Sequence, residues 1–240
     1  MTYNDPKQLL AAIVYRWSKS CNFENHDLIA KYEEYKQTKD KWLLTLVFAK
    51  CVKGYIHQSR MRWCDVAKVV LLLLKSGFII YDTYKNFEEL YEVIKKLVEN
   101  IRFAQGVLTV YDTALNIGQL LSYKVQPKEY VYLADCTQRV YKIIYPHARV
   151  ENNRVKHADI EQDFGGLSSV EIENLLCIFH KLFEKIAVGV TDEEIDEVFK
   201  RRMKYKNIDW KAVDKKLEPY KDILLPVAEN ASFCKPTNKK

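Results

Sequence analysis

Seven glycines and six prolines are all that interrupt 240 residues. A turn-rich β fold needs many more of both, so the chain is expected to be built of helices. The apolar residues agree, because in most segments they recur every three or four positions. Leu9, Leu10, Ile13, Val14 and Trp17 share one side of a helix opened by Asp5-Pro6, a capping residue with Pro in the first turn. Trp42 to Lys53 is strongly apolar and is read as a buried helix ending at Gly54; a second core helix runs from Asp65 to Lys75. Asn86 with Glu89, Ser168 with Glu171, and Thr191 with Glu194 each have the spacing of a capping box at a helix start. Phe78-Ile79-Ile80-Tyr81 is compatible with a short strand, and four residues do not fix a period.

The centre of the pattern is Val93 to Tyr145. Val93, Ile94, Leu97, Val98 and Ile101 lie on one helix, and Val110, Ala114, Leu115, Ile117, Leu120 and Leu121 lie on the next. Between them stands Ala104-Gln105-Gly106-Val107-Leu108-Thr109. A turn that opens directly into a helix leaves backbone N–H groups pointing outward, and the helix dipole behind them favours an anion such as phosphate. Further along, His147 to Gly166 is polar and is read as a long loop. Asp209 to Leu217 is expected to form one more short helix, with a disordered end after Pro226. The fold class expected is therefore all-α. Residues 1–199 would form one globular multi-helix domain, with a helix-hairpin-helix-like centre at about 93–145. Residues 200–240 would be a basic C-terminal helix and disordered tail.

Composition removes several classes of protein. The N-terminus lacks a basic stretch followed by an apolar core, so no signal peptide and a cytoplasmic location are expected. The longest apolar run, Val69 to Leu74, is far shorter than the ~20 residues of a membrane span, so no membrane partner is expected. Cys21, Cys51, Cys64, Cys136, Cys177 and Cys234 form no CxxC pair and are read as reduced, mostly buried thiols. No metal site and no cofactor are expected from them. The net charge of +6 is local: residues 200–240 hold 12 Lys and Arg against 5 Asp and Glu, while the remainder is close to neutral. Such an end reads most plainly as solvated lysines on exposed helix faces, and it also suits a polyanion.

Ala104-Gln105-Gly106-Val107-Leu108-Thr109-Val110 resembles the turn of the helix-hairpin-helix element found in DNA-binding proteins. Gly106 falls on the second glycine of that pattern and Thr109 on the hydroxyl that opens the second helix. Ala104 replaces the first glycine, and Gln105 replaces the hydrophobe. The resemblance implies that Gly106, Val107, Leu108 and Thr109 meet a duplex phosphate without reading sequence. Asp135-Cys136-Thr137-Gln138-Arg139-Val140 in turn resembles the segment carrying the catalytic Asp of base-excision DNA glycosylases. The separation from Thr109 is longer than that branch has, and its hairpin lysine and cluster cysteines are missing. Asp135 thus has two readings, a catalytic carboxylate beside a developing positive charge or a residue that only caps the helix Cys136 to Ile144. More broadly, the run Val107 to Gly118, then Tyr130-Val131-Tyr132-Leu133, then Leu167 to Phe179 resembles a group of uncharacterised bacterial helical proteins, which implies organisation and no activity.

Arg60, Arg62, Arg201 and Arg202 are the cations expected to support a phosphate contact. On the second hairpin helix Asp112 and Asn116 share a face, as do Thr109 and Thr113; that polar face would touch sugar or base edges, or lie on the helix exterior. His157, Asp159, Glu161 and Asp163 make an acidic cluster in the polar loop, read as solvated charge. The function expected is a DNA-binding protein of helix-hairpin-helix glycosylase-like fold, without catalysis. The alternatives are a glycosylase using Asp135 and a helical module that binds a protein partner.

Overall fold

The computed structural model describes residues 1–19, 26–53, 61–76, 84–101, 104–121, 125–203 and 208–230. In chain order, β1 (Thr2–Tyr3) precedes α1 (Pro6–Lys19), α2 (His26–Thr38), α3 (Lys41–Val52) and α4 (Trp63–Lys75). Next come α5 (Phe87–Val98), α6 (Val107–Leu120), β2 (Tyr130–Tyr132), α7 (Asp135–Ile144) and β3 (Arg154–Lys156). The last are α8 (Ser169–Glu184), β4 (Val190–Thr191), α9 (Asp192–Met203), α10 (Trp210–Leu217) and α11 (Lys221–Asn230). The described chain is mostly helical, and its strands are short. It divides into two compact units, each assembled from two separate stretches. The first is Met1–Glu24 with Pro127–Lys206, and the second is Asn25–Gln126 with Asn207–Lys240.

In the first unit the core lies among α1, α7 and α8. Leu9, Leu10, Ile13 and Trp17 of α1 join Val140 and Ile144 of α7 and Leu175, Leu176, Phe179 and Phe183 of α8. The Trp17 ring meets Phe179 edge-on with centroids 6.4 Å apart. Burying each such side chain is worth about 1.5–3 kcal/mol. Helix starts follow local chemistry: Asp5 accepts from the Gln8 amide at 2.9 Å. Ser168 and Glu171 form a reciprocal capping box, and Thr191 and Glu194 do the same across 3.0 and 3.4 Å. β1 pairs antiparallel with β4.

Part of the stretch read as a loop is a tight turn followed by the strand β3, which pairs with β2 from before α7. β2 and β3 pair antiparallel, with Tyr130 opposite Lys156, Val131 opposite Val155 and Tyr132 opposite Arg154. Asn152 and Asn153 both have positive φ, 51° and 57°. Asparagine tolerates that conformation better than other non-glycine residues, and a tight two-residue β-turn of the primed type requires it. Glu151 and Arg154 close the turn with backbone bonds of 3.2 and 3.0 Å. Three paired residues are too few for alternation to declare a strand.

In the second unit α6 is buried all round. Every residue from Val110 to Leu121 is buried, and α6 packs on α5, α3 and α2. Gly118 explains one close approach: a Cβ there would stand 2.2 Å from the Val125 carbonyl oxygen, where the returning chain crosses the helix. α10 and α11 pack on α3 and α4. Trp42 Nε1 donates to Asp214 at 2.8 Å, and the Ile208 amide donates to Asp27 at 2.9 Å. The short helix expected at Asp209 to Leu217 is α10, capped by Asp209. Beyond it the structure departs from the expected tail, because α11 runs through Pro226 to Asn230. The missing amide of Pro226 would have served the carbonyl of exposed Asp222, which water can satisfy, while Leu224 and Ala228 are buried. The expected strand at 78–81 lies outside the described residues, as do 231–240.

Candidate nucleic-acid interface

The turn ahead of α6 is built from the end of α5. Ala104 and Gln105 both donate to the Ile101 carbonyl, at 2.8 and 3.2 Å, which folds the chain back toward the next helix. Ala104 is fully buried, and its φ is not positive, so the methyl costs no backbone strain. Gln105 and Gly106 are exposed, and Val107, Leu108 and Thr109 are half-buried. Gly106 is the N-cap of α6 at φ −65° and ψ 140°, ordinary extended backbone, and a Cβ there would meet nothing within 4 Å. Glycine is therefore not required at this position by conformation or by space within the protein.

α6 opens without a capping side chain and without an acidic residue in its first turn. Val110 is the first residue to donate back along the helix, to the Gly106 carbonyl at 3.1 Å. The amides of Val107, Leu108 and Thr109 precede it and belong to the group that a helix cannot satisfy internally. By contrast α3 is capped by Asp40, α5 by Asn86 and α10 by Asp209.

The polar residues one and two turns further along are not part of any surface. Asp112, Thr113 and Asn116 are 2 %, 1 % and 0 % exposed, which rules out both the base-contacting face and the helix exterior. Thr113 Oγ1 donates to the Thr109 carbonyl at 2.7 Å. Asn116 Nδ2 donates to the Cys51 carbonyl at 3.1 Å, which serves one of the last carbonyls of α3.

The remaining residues singled out from the sequence are dispersed. Asp135 is the first residue of α7, exposed, with Ala134 rather than itself in the N-cap position. It belongs to the first unit, whereas Ala104 to Thr109 belong to the second. Arg62 is exposed and pairs with the buried carboxylate of Asp65 at 3.0 Å, and this contact holds the Asp65 carboxyl below its ordinary range. Arg201 pairs with Glu197 at 3.2 Å on the exposed side of α9. Arg202 lies on α9, with its side chain outside the description, and Arg60 lies outside the described residues altogether. The acidic cluster is tied up locally: His157 meets the Leu167 carbonyl at 2.8 Å and Glu161 at 3.3 Å, and Asp163 is bonded by Lys7 and Tyr145.

One feature was not visible in the sequence. Beside the β2–β3 pair lies a groove of about 580 Å³ lined by Tyr130, Tyr141 and Tyr145 and by Arg149, Arg154 and Lys156. Glu151 and Asp159 also line it. The Arg154 guanidinium sits 4.1 Å from the centre of the Tyr130 ring, and Lys7 Nζ is 3.7 Å from that of Tyr145. Such stacking is favourable by about 0.5–1 kcal/mol at exposed positions. Burial and Asp163 together push the Tyr145 phenol far above its ordinary value, so it stays a donor. The tyrosines come from β2, from α7 and from its C-cap Tyr145, and the cations from β3 and the segment before it, so the β2–β3 pairing sets Tyr130 beside Arg154.

No family model, curated protein or solved structure matches this chain. Among the described residues no cluster of His, Cys, Asp and Glu is arranged to hold a metal ion, and no helix is long and apolar enough to cross a membrane. What fold and site define is a mostly helical protein with an exposed, uncapped helix start in its second unit.

Proposed function

We propose that this protein binds nucleic acid through sequence-independent phosphate contacts, and that α5, the turn at 104–109 and α6 act as a helix-hairpin-helix-like element. One observation carries the reading: α6 begins at exposed Gly106 with neither a capping side chain nor an acidic residue in its first turn. The amides of Val107, Leu108 and Thr109, which a helix cannot satisfy internally, lie at the positive end of the dipole, a setting that suits a phosphate oxygen. The basic surplus of residues 200–240 supplies longer-range attraction. The groove of the first unit adds support, since its three cations outnumber its two carboxylates and its tyrosines offer ring faces. The function proposed is binding without chemistry, with Asp135 as an exposed first-turn residue of α7.

Electrophoretic shifts of a short duplex over a salt series test this. A shift at low salt, with affinity falling linearly on logarithmic axes by about 0.9 per phosphate neutralised, is the expected result. No shift at low salt overturns the reading and leaves a helical module for a protein partner. Release of a base or strand cleavage at an abasic site, lost in Asp135→Asn, would overturn the non-catalytic part alone.

A further inference from the structure

The two faces of the β2–β3 pair differ in chemistry. Val131 and Val155 stand opposite one another and belong to the core of the first unit. Side chains alternate along a strand, so Tyr130, Arg154 and Lys156 share the other face. The Leu133 amide donates to the Asn153 carbonyl at 2.7 Å, and the His157 amide to the Glu129 carbonyl at 2.8 Å. These bonds make Tyr130 and Lys156 a pair without mutual backbone bonds, the kind whose side chains stand closest. Arg154 is the diagonal neighbour of Tyr130, and its guanidinium lies 4.1 Å from the ring centre.

Across the groove, the rings of Tyr141 and Tyr145 are 4.9 Å apart between centres and tilted by 36°. Tyr145 is anchored, because its hydroxyl donates to Asp163 at 2.6 Å and Lys7, bonded to the same carboxylate, lies 3.7 Å from the ring centre. Burial pushes both phenols up, with Asp159 adding to the effect at Tyr141 and Asp163 at Tyr145. Both therefore stay neutral. Arg149, Arg154 and Lys156 outnumber Glu151 and Asp159, so the groove carries a net positive charge. Three tyrosines would otherwise suit a quaternary ammonium, but Arg154 and Lys7 already lie against two of the rings. What suits the groove is a flat ring that bears a negative group.

We propose that this groove is a subsite for one nucleotide, with its base against the Arg154–Tyr130 pair and its phosphate on Arg149 and Lys156. A guanidinium is planar and weakly hydrated, and bases stack on it as they do on aromatic rings. Arg149 can meet a phosphate with two parallel hydrogen bonds. The volume of about 580 Å³ lies within the range of about 300–1,000 Å³ usual for small-molecule sites. Arg149, Glu151, Asn152 and Lys156 are exposed, so the groove is open to solvent along this side. A free nucleotide and an unpaired nucleotide of a strand share this chemistry, whereas a base inside a duplex is stacked and out of reach. A strand as the source rests on the nucleic-acid reading, and a free nucleotide does not. The groove and the α6 turn lie in different units, so either site can fail while the other stands.

The test is isothermal titration calorimetry of the full chain at low salt with adenosine monophosphate, ribose phosphate, a short single-stranded oligothymidylate and choline. Adenosine monophosphate or the oligothymidylate should bind saturably, and ribose phosphate, which lacks the base, should bind at least about fivefold more weakly than adenosine monophosphate. Tyr130→Leu and Arg154→Lys should each weaken the base-bearing probes by about fivefold or more and leave ribose phosphate unchanged, because they remove the stack and keep the charge. Lys156→Gln, at an exposed position, should weaken every phosphate probe. Thermal melting of each variant reports that it is folded. Binding of the oligothymidylate alone identifies a strand as the source, and binding of adenosine monophosphate alone identifies a free nucleotide; either supports the subsite. Neither probe saturating at millimolar concentration would overturn it. So would choline binding more tightly than adenosine monophosphate, or base-bearing probes bound at wild-type strength by folded Tyr130→Leu and Arg154→Lys.

Discussion

Replacing Gly106 by aspartate should make the protein more stable and a worse binder of nucleic acid, two effects of opposite sign from one side chain. The substitution fits the backbone: φ −65° and ψ 140° suit any L-residue, and a Cβ has no heavy atom within 4 Å. An aspartate at the N-cap accepts from an amide of the first turn, which is better than glycine by a few tenths of a kcal/mol. Its charge at the positive end of the dipole adds about 0.3–1 kcal/mol, and α6 has no acidic residue in its first turn to make this redundant. Together the gain is about 0.5–1 kcal/mol, read as an upward shift of about 1–4 °C in the melting temperature for a chain of this size. The same carboxylate would occupy the place proposed for the phosphate oxygen. Loss of one contact lowers the salt slope of duplex binding by about 0.9. Repulsion by the new charge adds to this, and the affinity at low salt should fall at least about tenfold, or 1.4 kcal/mol. Thermal melting and fluorescence anisotropy with a labelled duplex read the two effects separately. A variant that is stabilised while its affinity and salt slope stay at the wild-type values would refute the phosphate assignment. A destabilised variant would refute the geometry of the turn itself.

Three further outcomes follow from the packing. Gly118→Ala sets a methyl 2.2 Å from the Val125 carbonyl oxygen, so urea unfolding should show a loss of about 1–3 kcal/mol. Asn116→Ala removes the donor to the Cys51 carbonyl inside the second unit; leaving that oxygen unmatched should cost about 1–3 kcal/mol by the same assay, and Asn116→Asp should cost more. The Asp192 carboxyl is held at about 2 by the Met1 amino group, Arg16 and Tyr3, against an ordinary value of 3.8. A lowered folded-state value means that its contribution is complete above the ordinary value and is lost as pH falls through the lowered one. Circular dichroism between about pH 4 and 2 should therefore show a shallower acid loss in Asp192→Asn than in the wild type.

Local chemistry was legible in the sequence, and surroundings were not. The helix starts at Asp5-Pro6, Asn86, Ser168 and Thr191 are set by side chains within three residues of the amides they serve, so spacing alone reveals them. Asp112, Thr113 and Asn116 have the side chains of a surface helix, yet α6 is covered on all sides, and only the packed neighbours disclose that. The surplus of positive charge after residue 200 suggested a separate tail. Residues 208–230 instead join the second unit through Asp27, Trp42 and the helices α3 and α4. Disorder is expected after Pro226, but one lost amide opposite an exposed carbonyl does not outweigh the burial of Leu224 and Ala228, and α11 continues to Asn230. The tyrosine-lined groove depends on contacts between segments distant in the chain, which no motif spacing encodes.

Two-dimensional NMR of the backbone amides during titration with a short duplex addresses the phosphate contact at its atoms. The account expects the resonances of Val107, Leu108 and Thr109 to shift together and saturate with the duplex, and to return as salt is raised. Saturating duplex that leaves those three amides unmoved would contradict it.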